Sequence, residues 1–325
     1  MLISLFNNYF DRAFAKFYDM SYESYKGLTK NPRWLLMRKF ARFRIVRSLV
    51  KSFSKRSIKS YLSLLNENNS CFSDVNIDAA VNNLKNEGLH LGINLPQNVV
   101  QEIVQFAQST ACYGNQKLEY GFYYHQKAEA ETKSGKHFIT GHYFNTALFC
   151  SAIKKLQNDP KLLAISAKYL DGQPVHQGNK MWWSFAGKMT YREQSQAAQF
   201  FHYDVDDYCF IKFFFYLTDV DNQSSPHVCV INSHNHKKSS HLWLRKRETD
   251  QDIIDYYGRE SLVEIYGQAG FGFAEDPLCF HKGISPTHQD RLILQIEFAT
   301  TDYQMQHDLR KTSLLKCIAF PSLLK

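Results

Sequence analysis

The feature that most constrains this chain is the run from Ala198 to Val220, AQFFHYDVDDYCFIKFFFYLTDV. In it aromatic and β-branched residues dominate, and a histidine and an aspartate, His202 and Asp204, stand two positions apart. Such a composition reads as two consecutive strands. Positions i and i+2 of a strand point to one face, so the imidazole and the carboxylate project together. They supply two of the three ligands of a two-histidine, one-carboxylate triad, a set that holds non-haem iron and leaves metal positions open.

A His-x-Asp pair alone says little, and the chain carries a second one, His288 and Asp290. The difference lies downstream. The segment FHKGISPTHQDRLILQIEF places His281 at the end of an apolar strand, Leu278 to His281. A turn with Gly283 and Pro286 follows, and Arg291 opens the next strand, Leu292 to Phe298. After His288 only His307 remains. His227, His234, His236 and His241 compete for the third position, but none is followed by a strand-opening arginine in the same way. His202, Asp204 and His281 are therefore the expected metal ligands and the catalytic centre. The rival reading is a buried His and Asp that satisfy each other.

A strand, turn and strand bring Arg291 close to a metal held by His281. Its guanidinium offers a bidentate fork to a carboxylate, as a metal-chelating 2-oxoacid with a second carboxylate requires. Against this stands a surface ion pair with Asp290 or Glu297. Gln199, three residues before His202, and Lys212, on the following strand, are further candidates for binding the co-substrate. Otherwise they are polar residues of a half-exposed strand. Ser285 and Thr287 either line the same pocket or only make the turn.

At these residues the chain resembles the phytanoyl-CoA dioxygenase family of Fe(II)/2-oxoglutarate oxygenases. The resemblance spans roughly residues 180–300 and rests on His202, Asp204, His281 and Arg291, with YLTDVDNQSSPHVCVINSHNHK between them. Ser224 and Ser225 replace the usual glycine step, and Ile231 to His234 stand where the family has Pro-Gly-Ser-His. Glu275 and Asp276 replace Gly-Asp before the distal histidine. The resemblance implies a mainly β fold with α additions: a double-stranded β-helix, or cupin-like jelly roll, with N-terminal helices outside. It implies Fe(II), 2-oxoglutarate and O2 as cofactors, with Arg291 on the distal carboxylate. Asp204 in the carboxylate position implies C–H hydroxylation rather than halogenation, and the basic arm suggests a small-molecule substrate related to a lipid or a glycan. Desaturation or epimerisation on the same centre is a related outcome. No phosphate cradle for an acyl-CoA stands out. From another class, the chain reads as a non-catalytic metal-binding barrel attached to a membrane or nucleic acid through its basic N-terminal arm.

The net charge of +8 is local. Residues 26–60 hold twelve basic and no acidic side chains, and the remainder has 27 basic against 31 acidic. Pro32 suits the start of a helix, and Leu36, Phe40, Phe43, Val46, Val50 and Phe53 recur at three- and four-residue steps. This basic helical arm, residues 1–70, reads as a helix docked on its own barrel or as peripheral contact with an anionic membrane. Nucleic acid is the weaker partner, for charge comes without a recognition motif. Residues 71–310 read as the oxygenase domain and 311–325 as a docking tail. Seven scattered cysteines without a C-x-x-C pair, and a start without a basic n-region, predict a cytoplasmic protein, peripheral to the inner face of a membrane if the arm binds there.

Along the chain, helices are expected at Ile77 to Glu87, from Pro96 to Ser109, and as two within Thr146 to Leu170 split at Pro160. Strands are expected at Leu89 to Leu95, Leu118 to His125 and Met181 to Phe185, the last opening the core. Residues 127–136, KAEAETKSGK, read as a charged loop, and Asp252 to Tyr257 as a short helix ended by Gly258.

Overall fold

Among the residues that the computed structural model describes, 31–53, 58–196 and 198–318, eleven strands form two antiparallel sheets. Expectations for residues 1–30, for Lys55 and Arg56 and for the tail beyond Ile318 fall outside that range. In chain order the strands are β1 (Leu89–Leu91), β2 (Cys112–Gly114), β3 (Gly121–Phe122), β4 (Thr140–Tyr143), β5 (Val175–Ser184), β6 (Phe210–Tyr216), β7 (His227–Val230), β8 (Leu262–Ile265), β9 (Gly272–Glu275), β10 (Phe280–Gly283) and β11 (Arg291–Ala299). The large sheet runs β1-β9-β6-β11-β5-β4-β2-β3, and the small one β10-β7-β8. This is the two-sheet arrangement of a double-stranded β-helix.

Side-chain parity along two central strands assigns the faces. On β6, Ile211, Phe213 and Phe215 join a core cluster with the helices Ile77–Asn86, Gln97–Ser109 and Pro160–Leu170, and so do Leu292, Leu294 and Ile296 of β11. The alternate residues Phe214, Tyr216 and Ile293 pack with Cys229 and Ile265 of the small sheet and with Cys279 just before β10. One face of the large sheet is therefore under helices and the other meets the small sheet. By the same parity Lys212, Arg291 and Glu297, all buried, enter the space between the sheets. The adjacent tryptophans divide likewise: Trp183 packs under the helices and Trp182 against the inter-sheet cluster.

Several expectations change. Only Phe210–Tyr216 of the aromatic run is a regular strand; Phe201 and His202 make isolated bridges. The Asp207 carboxylate accepts hydrogen bonds from the backbone of its neighbour Tyr208 and of the distant Thr300 and Thr301, and this side-chain bonding takes the place of a ladder there. Residues 127–136 are not a loop. Lys127–Ser134 is a helix closed by Gly135 at φ 63°, with Lys127–Glu131 and Glu129–Lys133 pairs one turn apart. The third strand shrinks to Gly121–Phe122, the first to Leu89–Leu91, and the Leu278–His281 strand shifts to Phe280–Gly283. Residues 146–170 hold three helices, because a further break falls at Cys150. Met181 does not open the core, since four strands of the large sheet precede it.

Near the N-terminus, Pro32–Phe40 is capped by Asn31 and packs through Met37 and Ala41 against Phe201 and Tyr203. Of the expected apolar stripe, Leu36 and Phe40 are exposed, whereas Phe43, Val46 and Val50 are half-buried, with the Phe43 ring 5.2 Å from that of Trp243. At the other end, Lys316 and Ile318 exchange backbone hydrogen bonds with Leu118 and Gly121, so the described tail docks. Among the described residues no helix is long and apolar enough to cross a membrane.

Candidate metal centre

His202 and His281 face each other across an antiparallel bridge, exchanging N–H···O bonds of 3.0 and 2.8 Å, with ring centroids 4.4 Å apart. The extended backbone turns Tyr203 into the core, where its hydroxyl donates to the His241 carbonyl, and so returns Asp204 to the side of His202. The donor atoms of His202, Asp204 and His281 all lie within 4.8 Å of one another, and among the described residues no other cluster of three has that geometry. His202 Nε2 is 4.0 Å from Asp204 Oδ1, and His281 Nε2 is 3.7 Å from Oδ2.

The outer contacts prepare these groups as ligands. Each Nδ1 lies 3.0 Å from a carbonyl oxygen, that of Phe200 for His202 and that of Cys279 for His281. A carbonyl only accepts, so in the neutral rings Nδ1 carries the proton and Nε2 presents its lone pair inward. Burial lowers His202 to about 3, so its ring is neutral. Burial would raise the Asp204 carboxyl, but the Lys212 ammonium, by its charge and its hydrogen bond, holds it well below the usual range. The triad offers two lone pairs and one carboxylate, the donor chemistry of a ferrous site.

Lys212 is buried among three carboxylates: Asp204 Oδ2 at 2.5 Å, Asp206 Oδ2 at 3.0 Å and Glu297 Oε2 at 3.7 Å. Its ammonium is thus spent on holding Asp204 rather than free for a co-substrate. Gln199 Oε1 accepts from Ser285 Oγ, and its Nε2 lies 3.2 Å from Met189 Sδ. Thr287 is exposed and contacts His288 at 2.8 Å.

Arg291 is 4% exposed, and among the described residues it makes no ion pair. It donates to the Ser225 carbonyl and, at 3.3 Å, to Ser184 Oγ, while its Nε has no partner. Burial lowers its pKa. A buried guanidinium without a counter-charge is costly unless an anion completes it. Gly283, two residues past His281 on the same face of β10, would bring a Cβ to 3.8 Å from Arg291 Nη2. The guanidinium therefore stands roughly 7 Å along the strand from His281. Those groups fit a dicarboxylate whose inner end reaches the triad.

The competing histidines have other partners. His227 Nε2 is 2.7 Å from Glu275 Oε2, His234 Nδ1 is 3.3 Å from Cys279 Sγ, and His241 Nε2 is 3.8 Å from Glu248 Oε1. Asp290 accepts from Tyr124 Oη and the Ala186 amide, which gives the second His-x-Asp pair a structural role. Sequence reasoning missed Glu275, which approaches His281 Nδ1 at 3.4 Å as well as His227. Its only signal was its place in the resembled motif.

No protein-family model matches the chain, and no curated protein matches it. Among solved structures, similar ones include the non-heme alpha ketoglutarate dependent epimerase SnoN from nogalamycin biosynthesis, at 14% identity and TM-score 0.45 over 69% of this chain and 82% of that one. AviO1 from Streptomyces viridochromogenes Tue57 matches at 14% and 0.45, over 70% and 96%. HygX from Streptomyces hygroscopicus, with nickel, 2-oxoglutarate and hygromycin B bound, matches at 12% and 0.46, over 69% and 87%. At TM-scores below 0.5 these likenesses add nothing to the geometry of the site.

Proposed function

We propose that the chain is an Fe(II)- and 2-oxoglutarate-dependent dioxygenase that hydroxylates a C–H bond of a small molecule. The observation that carries this reading is the conjunction of the His202–Asp204–His281 triad with Arg291, a buried guanidinium lacking a counter-charge. When bound, the ferrous ion supplies the chemistry that takes 2-oxoglutarate, O2 and R–H to succinate, CO2 and R–OH, the co-substrate and the C–H bond each giving two electrons. His202 and His281 would hold the metal through Nε2, and Asp204 through its carboxylate. Lys212 fixes that carboxylate, and Ser184 and Ser225 aim Arg291 at the distal carboxylate of the co-substrate. Gln199 and Ser285 stand together close to β10, where the Gly283 amide bonds the Ala198 carbonyl.

On this reading residues 71–310 form the catalytic unit, flanked by the basic arm and the tail. The test is succinate formation from 2-oxoglutarate by the purified protein. It should require Fe(II) and O2 and disappear in His281→Ala. Metal binding without succinate would favour a non-catalytic metal-binding barrel instead.

The arm has its own support as a membrane contact. Leu36, Phe40, Ile45 and Leu49 are exposed among Arg38, Lys39, Arg42 and Arg44, the mixture that favours an anionic lipid surface. Free cysteines throughout the described chain accord with a reducing, cytoplasmic location at such a surface. Sedimentation with phosphatidylserine vesicles, but not with phosphatidylcholine vesicles, tests this.

A further inference from the structure

Arg247 is a charged group beside the triad that is not among its three ligands. Its placement follows from backbone register. Phe201 and Glu248 form an isolated antiparallel bridge, with the Glu248 amide donating to the Phe201 carbonyl at 2.8 Å. One step along, Arg247 falls opposite His202, and directly opposed residues of an antiparallel pair project to the same face. His202 is itself bridged to His281 on its other side. Three short segments thus put Arg247, His202 and His281 in a row across one face.

Arg247 is solvent-exposed, and among the described residues it makes no hydrogen bond or ion pair. Asp204 and His202 both feel its charge. It is not required as the counter-ion of Asp204, because Lys212 already occupies that carboxylate at 2.5 Å. Two residues before His202 on its own segment stands Phe200, whose ring lies 4.8 Å from that of Tyr191, itself 76% exposed. An unpaired guanidinium opposite His202, with the Phe200 and Tyr191 rings on the segment leading to that histidine, fits an anion carried on a flat or apolar body.

We propose that Arg247 anchors a carboxylate or phosphate group of the primary substrate, on the side of His202 away from His281, while Arg291 takes the co-substrate. The inference rests on the oxygenase reading for the word substrate; the anion site itself does not. Arg247 selects among substrates by charge, and Tyr191 and Phe200 by shape.

The test uses metal-free full-length protein and ligand-observed NMR with phenyl phosphate, benzoate and neutral benzyl alcohol. Phenyl phosphate and benzoate should bind wild type and Arg291→Gln alike. They should weaken about tenfold or more in Arg247→Gln, with partial recovery in Arg247→Lys. Benzyl alcohol should bind more weakly than benzoate and be indifferent to Arg247. Equal anion affinity in wild type and Arg247→Gln would overturn the proposal, as would benzyl alcohol binding as well as benzoate. Because no metal is present, these outcomes are independent of whether Fe(II) and 2-oxoglutarate bind.

Discussion

Lys212 and Asp204 meet at 2.5 Å between Nζ and Oδ2, joining the centre of the large sheet to the ligand set. Lys212 opposes Glu275 on β9 and Glu297 on β11, so it stands at the junction of three strands. Burial would lower its pKa, but Asp204, Glu297 and Asp206 hold it well above the ordinary lysine value. In Lys212→Met, Asp204 loses its fixed orientation and Asp206 and Glu297 are left buried without a cation. Metal affinity should fall about 10- to 100-fold, and stability by about 3–5 kcal/mol. Metal titration and urea denaturation of the same variant measure both.

Arg291 separates co-substrate binding from metal binding. In Arg291→Gln the affinity for 2-oxoglutarate should drop by about a hundredfold or more, because a buried carboxylate loses its charged partner. Fe(II) affinity should stay within about twofold, since Arg291 touches none of the three ligands. Parallel calorimetric titrations with metal alone and with metal plus co-substrate resolve the two.

Lys237 gives a pH dependence with a definite sign. Its ammonium donates to the Leu278 and Ser233 carbonyls and lies 4.1 Å from the Tyr203 ring, and burial lowers its pKa to about 7. An unfolded lysine titrates near 10.4. Between those values the unfolded chain holds a proton that the folded chain lacks, so this group adds stability as pH rises from about 7 to about 10, by at most about 1.4 kcal/mol per unit. Lys237→Met should remove that contribution, so that stability curves of variant and wild type diverge across the window; parallel curves would refute it.

Gly88 follows the helix Ile77–Asn86 at φ +78°, and a Cβ there would strike Cys279 Sγ and come within 2.8 Å of His234 Nδ1. Gly88→Ala should cost about 1–3 kcal/mol through backbone strain and collision. Thermal denaturation checks the loss.

The legible parts were those in which one residue type at one position carries the chemistry. His202 and Asp204 two apart need only extended backbone, so their shared face survives although the segment is not a regular strand. Arg291 opens β11 as its place before LILQI suggests, and that strand is buried throughout. At Lys127–Ser134 the density of charge suggests a loop, whereas the segment is a helix because Ala, Glu and Lys are strong helix formers with pairs one turn apart. Lys212 reads from the sequence as a co-substrate contact because local spacing cannot reveal that Glu297, 85 positions away, lies opposite it. Arg247 was invisible for the same reason: its neighbour Glu248 meets Phe201 through one long-range bridge.

The most direct measurement is an anaerobic titration of purified protein with Fe(II) and then 2-oxoglutarate, following the weak visible charge-transfer band, with His281→Ala and Arg291→Ala alongside. The account predicts a saturable band in wild type, no band in His281→Ala, and a band in Arg291→Ala only at far higher 2-oxoglutarate. No band in wild type at saturating concentrations of both, or an undiminished band in His281→Ala, would contradict it.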